Sequence, residues 1–256
     1  MLQIFNRLLH EDVRKQVALI LFLIWLISIF YFKDLALFFL TPTAIITCVV
    51  TEYGLNFLFK KVRFISVSAI ITGLLIGLTL YTDTSIFLVV LISALSIIFK
   101  HFIQIQGRPI FNPAALGLLF GAMVLKISPT WWGVAWNNWF WLFLLFFQGY
   151  VLKRMKRIWH PLSFLIAYAL YLFLRNPGNI LPLLLDSSLF LFAFVMLPEP
   201  QTAPLKGFWT YSWGPLVVVN IFLLSHLSGF VWDPLLSALV LANGESLFLR
   251  KVLHEV

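Results

Sequence analysis

Asn112 and Pro113 stand directly after Phe111 and a few residues after the cation Arg108, and they open a short apolar segment, Ala114 to Val124. Proline has no backbone donor and fixes its own φ, so Pro113 suits the first turn of a helix. Asn112 suits the N-cap before it. At about 1.5 Å per residue this segment is too short to cross a hydrocarbon core of roughly 30 Å. A half-length helix with its positive end buried is a site for an anionic or electron-rich ligand. The same spacing also fits a broken membrane helix with an ordinary cap and no ligand.

A second polar stretch is Pro198-Glu199-Pro200-Gln201-Thr202-Ala203-Pro204. Its prolines forbid a regular helix, and the freed carbonyls need water or protein partners. Glu199 could serve as an ion ligand, a proton carrier or a partner for a flavin ring. It could equally be a solvated cytoplasmic carboxylate, since Lys206 and Trp209 follow. Asp186 is the better placed of the remaining intramembrane carboxylate candidates. Glu52 and Glu245 lie near the ends of apolar runs, where pairing with a nearby cation is expected, and Glu245 reads as interfacial. His226 reads as a packing or interfacial residue.

These groups need elements to hold them, and composition says which. Hydrophobic residues make up 61% of the chain and charged residues 11%, against roughly 45–50% and 25% in soluble domains. The apolar runs are continuous, which excludes a β-barrel. The chain reads as an all-α polytopic membrane protein. Ten helices are expected, over Val17–Phe32, Leu35–Phe59, Phe64–Tyr81, Ser85–Phe99 and Asn112–Leu125, then Val134–Leu152, Pro161–Leu174, Leu181–Leu197, Gly214–Leu227 and Pro234–Leu249. No cleaved signal peptide is expected, because Glu11, Asp12, Arg14 and Lys15 lead straight into an apolar run.

On this count the basic residues separate. Lys33, Lys126 and Arg175 fall on one side and the rest of the 18 on the other, so both termini are expected in the cytoplasm of a bacterial plasma membrane. The short basic clusters between spans are loops, and no nucleic acid is expected as a partner. Trp131, Trp132, Trp136, Trp139 and Trp232 are expected at the outer interface and Trp159, Trp209 and Trp213 at the inner one. Five helices per half force opposite orientations, which suggests two inverted repeats, 1–127 and 128–256, within one membrane domain. Asn112 in the fifth helix and Asn243-Gly244-Glu245 in the tenth occupy corresponding places. The single Cys48 excludes an internal disulfide and cysteine-ligated iron–sulfur or zinc sites, and reads as a small buried hydrophobe. Dinucleotide, P-loop, zincin and serine-hydrolase motifs are absent.

Gly107-Arg108-Pro109-Ile110-Phe111-Asn112-Pro113-Ala114, Thr72-Gly73-Leu74-Leu75 and Glu199-Pro200-Gln201-Thr202-Ala203-Pro204 together resemble one family. It is the membrane subunit family shared by the sodium-pumping NADH:quinone oxidoreductase and the Rnf electron-transport complex. The resemblance implies a ten-helix inverted-repeat fold similar to urea transporters, flavin-mediated electron transfer, and other membrane subunits of a redox complex as partners. It places cofactor contacts at Arg108, Phe111, Asn112, Pro113, Thr72, Gly73, Glu199 and Thr202. Family members carry FMN on a threonine in a Ser-Gly-Ala-Thr element. The corresponding loop here, Lys126 to Gly133, has only Thr130 and no such element, so covalent FMN is not expected and riboflavin or FMN would be held non-covalently. Where members have Asp, this chain has Glu199. A transporter or channel for a small polar solute, or a flavin-free assembly subunit, are the rival readings on the same fold.

Overall fold

A computed structural model describes residues 12–59, 66–135, 139–204, 207–227 and 232–252. Aspartates start the first two helices. Asp12 and Asp34 accept the N–H of Arg14 (3.1 Å) and Ala36 (2.8 Å), so each caps free donors at a helix start. The helices that follow are α1 (Val13–Phe32) and α2 (Leu35–Leu58). Then come α3 (Val67–Thr79), α4 (Ile86–Phe102), a two-stranded hairpin (β1 Gln104–Ile105, β2 Arg108–Pro109) and α5 (Pro113–Val124). The second half holds α6 (Trp132–Ala135), α7 (Phe140–Phe143), α8 (Gly149–Arg154), α9 (Trp159–Arg175), α10 (Ile180–Leu184), α11 (Ser187–Leu191), α12 (Trp209–Ser225) and α13 (Pro234–Val252).

The protein is thus a mostly helical membrane protein. Val13–Phe32 and Ala36–Leu58 are long and apolar enough to cross a bilayer, and several shorter apolar helices surround them. Its outside is apolar: Phe30, Phe87, Ile166 and Leu174 are 70–77% exposed, a surface suited to lipid and not to water.

Two expected helices are interrupted. Val134–Leu152 is not one α-helix. It contains a π-turn over Leu144–Gln148, in which the Gly149 N–H reaches back to the carbonyl of Leu144. Leu181–Leu197 is bent by 57° between Leu184 and Ser187, and its second arm ends in another π-turn, Phe192–Met196, closed by Leu197 N–H on the Phe192 carbonyl (3.0 Å). Asp186 causes the bend. Its carboxylate accepts the N–H groups of Ser188 (2.7 Å) and Leu189 (3.2 Å), which starts a new helix. Asp186 is therefore an exposed helix cap.

Close packing fixes the halves internally. A methyl at Gly73 would sit 2.5 Å from Cα of Ile45, and one at Gly77 2.6 Å from Cα of Thr41. The pair, one turn apart, lets the backbones of α3 and α2 touch, as small residues do between membrane helices. In the first half α2 also packs on α4, and α4 on α5. In the second α9 packs on α12, and α12 on α13. The halves meet where α5 crosses α13 and where α1 meets α6. There Ser28 Oγ donates to the Gly133 carbonyl at 2.6 Å.

Three tryptophans expected at the interfaces are core residues. Trp132 donates its indole N–H to Gly77 O (2.8 Å), Trp213 to Leu197 O (3.0 Å) and Trp131 to Asp233 Oδ2 (2.8 Å). All three are under 10% exposed. A satisfied indole N–H removes the penalty that keeps tryptophan at the water boundary. Trp139 and Trp159 are exposed, and Trp136 lies outside the described residues. Cys48 is sealed in the core, with its thiol 3.6 Å from the Ser93 carbonyl, as expected of a small hydrophobe.

Candidate functional site

Asn112 is the N-cap of α5, with Pro113 as the first helical residue. Its Oδ1 accepts the Ala115 N–H at 3.0 Å, and its Nδ2 donates to the Met196 carbonyl at 3.2 Å. Its own N–H donates to Asn243 Oδ1 at 2.9 Å. One 2%-exposed residue therefore ties α5 to the second π-turn and to α13. The second residue of α5, Ala114, has no hydrogen-bond partner for its N–H among the described residues.

Below this junction lies a narrow slot, open at one end. It holds about 700 Å³ counting its mouth. Four expected site residues line it: Thr72, Asn112, Pro113 and Glu199. Leu75, Leu152 and Val195 make its walls apolar. The mouth, at Arg14, Ser68 and Gln201, leads to a wider polar vestibule of about 1010 Å³ counting its own mouth. Glu52 and Lys100 face each other there at 2.7 Å, each side chain 9% exposed. Glu52 pairs with a cation as its position predicts.

The other expected residues sit elsewhere. Thr202 is one step back from the slot, donating its hydroxyl to Glu199 Oε2 at 3.3 Å. Gly73 faces Ile45 in the contact of α3 with α2. Phe111 lies near Gly244 of α13, its ring 3.6 Å from where a methyl there would stand. Arg108 is exposed on the hairpin and lines neither cavity. Thr72 has its hydroxyl committed to the Ser68 carbonyl at 2.9 Å.

Three residues that shape the site carry no motif. Arg157, 5% exposed, points its guanidinium at the carbonyls of Pro198, Glu199, Pro200 and Ala203 at 3.3–3.5 Å. It supplies the partners that three prolines deny the turn. In sequence it reads only as one more loop cation. His160, fully buried, adds a bond from its Nε2 to Pro204 O at 2.6 Å. Gln148, in the first π-turn, also lines the slot. A lone glutamine in the apolar run Leu144 to Val151 was the available signal. In the turn beyond the eighth expected helix, burial pushes the Glu199 carboxyl up to about 7, against the pull of nearby cations and the Thr202 hydroxyl.

At the start of α13, Asp233 and Pro234 repeat the Asn112–Pro113 arrangement. Asp233 Oδ1 accepts the Leu236 N–H at 2.9 Å, three residues on, as Asn112 Oδ1 does from Ala115. Burial raises the Asp233 carboxyl above its ordinary range. The two helix starts thus differ: the 19-residue α13 carries an acid in its own cap, and the 12-residue α5 carries a neutral amide.

No curated protein matches the chain. The profile of the NQR2, RnfD, RnfE family covers residues 6–139. That is just over half of the 256 residues, and it takes in Thr72, Asn112 and Pro113, which line the slot. The chain belongs to this family of membrane subunits of redox complexes.

Proposed function

We propose that this chain is an electron-transfer subunit of an Rnf- or sodium-pump-type membrane complex, and that it holds riboflavin or FMN non-covalently in the slot at Asn112. The observation that carries this reading is the slot itself, a narrow apolar cleft closed by the start of α5. The walls at Leu75, Pro113, Leu152 and Val195 suit the faces of a planar ring. The Ala114 N–H and the positive end of α5 favour an electron-rich or reduced, anionic edge. Bound flavin supplies the redox chemistry; the protein's share is to orient it, exclude water and tune its electronics. Electron passage to and from partner subunits, with or without coupled cation movement, belongs to this reading.

The architecture proposed with it is ten membrane segments in two inverted halves, 1–127 and 128–256, with both termini on the cytoplasmic side of a bacterial plasma membrane. The parallel packing order of the halves and the matched caps at Asn112 and Asp233 support it. Reporter fusions at Val256 and within Lys153–Arg157 should both read cytoplasmic; an outward report at either rejects this topology.

The test is the visible spectrum of the purified protein, followed by acid precipitation. Flavin bands that move into the supernatant are expected. Asn112→Leu removes the cap at a cost of roughly 0.5–2 kcal/mol and should insert normally while retaining less flavin. A colourless preparation that takes up neither riboflavin nor FMN would return the chain to the solute-transport reading.

A further inference from the structure

Gln148 is 2% exposed, lines the slot, and has its Oε1 buried without a hydrogen-bond partner. Proteins satisfy nearly all such groups, because a buried polar atom left unpaired is costly. A leucine or methionine here would fill the same space without that cost. Of the other polar side chains that line the slot, Gln201 at the mouth also has a buried, unpartnered Oε1, whereas those at the closed end are spent. Asn112 uses both carboxamide atoms, on Ala115 and Met196, and Thr72 uses its hydroxyl on Ser68. Gln148 holds polar capacity in the interior of the slot that no protein group takes up.

The backbone around it is also unusual. Gln148 ends the π-turn Leu144–Gln148, and Val195, which also lines the slot, lies in the π-turn Phe192–Met196. Such turns are rare and gather at functional sites, since the extra residue re-aims the side chains beside it. Two of them bordering one slot point to a binding surface built at the expense of regular hydrogen bonding.

We infer that Gln148 reads the imide edge of the flavin ring, the N–H flanked by two carbonyls. This rests on the flavin reading above. A carboxamide carries both an acceptor and donors, so it can meet an imide's N–H and a carbonyl together. A phosphate or carboxylate would bring acceptors only, and a lipid chain would leave Oε1 unpaired. Gln148 is then the residue that selects for ring chemistry, while Asn112 shapes the slot.

The experiment compares equilibrium binding of riboflavin and N3-methylriboflavin to the full chain in detergent, by quenching of flavin fluorescence. The methyl group removes the N–H and leaves the ring otherwise intact. Wild-type protein should prefer riboflavin by about tenfold or more, the value of one buried hydrogen bond and the penalty of leaving its partner unpaired. Gln148→Met should bind riboflavin as weakly as wild type binds the methylated analogue, and should show no preference between the two. Equal binding of both flavins by wild type overturns the inference without recourse to any variant, so a Gln148→Met protein that fails to fold does not protect it. A preference retained in Gln148→Met overturns it as well. If neither flavin binds wild type at all, the flavin reading itself fails, and the inference with it.

Discussion

The backbone N–H of Asn112 donates to the side-chain Oδ1 of Asn243 at 2.9 Å, joining residues 131 positions apart and both almost fully buried. This bond pins the start of α5 to the middle of α13, and so pins one half of the chain to the other at the slot. Asn243→Leu leaves that N–H buried and unpaired, at a cost of about 1–3 kcal/mol. A lower melting temperature in detergent is expected, together with weaker ligand retention. An unchanged melting temperature would mean that water or a shifted neighbour replaces Asn243.

Arg157 holds the proline-rich turn by its carbonyls. Arg157→Met keeps much of the stem but frees four carbonyls, those of Pro198 and Ala203 in buried residues, which places it among strongly destabilising substitutions of several kcal/mol. Arg157→Lys should rescue little, since a point-like ammonium cannot span carbonyls that a planar guanidinium reaches together. Size-exclusion profiles after graded heating would measure both. Full rescue by lysine would show that charge alone matters at this position.

Glu199 sets a pH dependence. Its carboxyl is raised from an ordinary 4.5 to about 7 by burial. The folded state thus prefers the neutral acid. Its contribution to stability is whole below the ordinary value and is lost as pH rises through the raised one. Glu199→Gln mimics the neutral form. It should match wild type near about pH 5 and exceed it in melting temperature near about pH 8. A variant less stable than wild type at the higher pH would show that the turn requires the charge.

Gly73 is a packing residue, and its variants should behave accordingly. A methyl there meets the backbone of Ile45 at 2.5 Å, and backbone cannot yield as a side-chain tip can. Gly73→Ala should lower the yield of folded protein and cost about 1–3 kcal/mol. The flavin affinity of the molecules that do fold should not change. Loss of affinity without loss of yield would place Gly73 at the ligand after all.

Much of this was legible in the residues. Asn112–Pro113 reads as a helix start because both residues carry strong local preferences, and the proline turn reads as irregular for the same reason. Glu52 finds the cation expected of it. The failures share a cause. Gln148 lies in a run that reads as unbroken helix, since a π-turn adds a residue without changing hydropathy. Trp131, Trp132 and Trp213 read as interfacial by type, but each found a buried acceptor that no pattern could announce. Arg108 is close to Asn112 in sequence, yet the hairpin it belongs to carries it to the surface. Arg157 reads as a loop cation among several, and only the path of the turn over it gives it a distinct task.

The two π-turns also make the slot sensitive to chain length in a way that substitutions do not reveal. Each accommodates one residue more than an α-helical turn would. Deleting a single residue such as Phe146 allows the first to relax into regular helix. The side chains of the former turn are then re-aimed, and Gln148 loses its place on the wall while the flanking helix stays in register. The deletion would keep the composition and the apolar length of the segment almost unchanged. The slot is therefore encoded partly as spacing, and a one-residue gap within Leu144–Gln148 or Phe192–Met196 in a related chain marks a cavity of different shape even where every lining residue is retained.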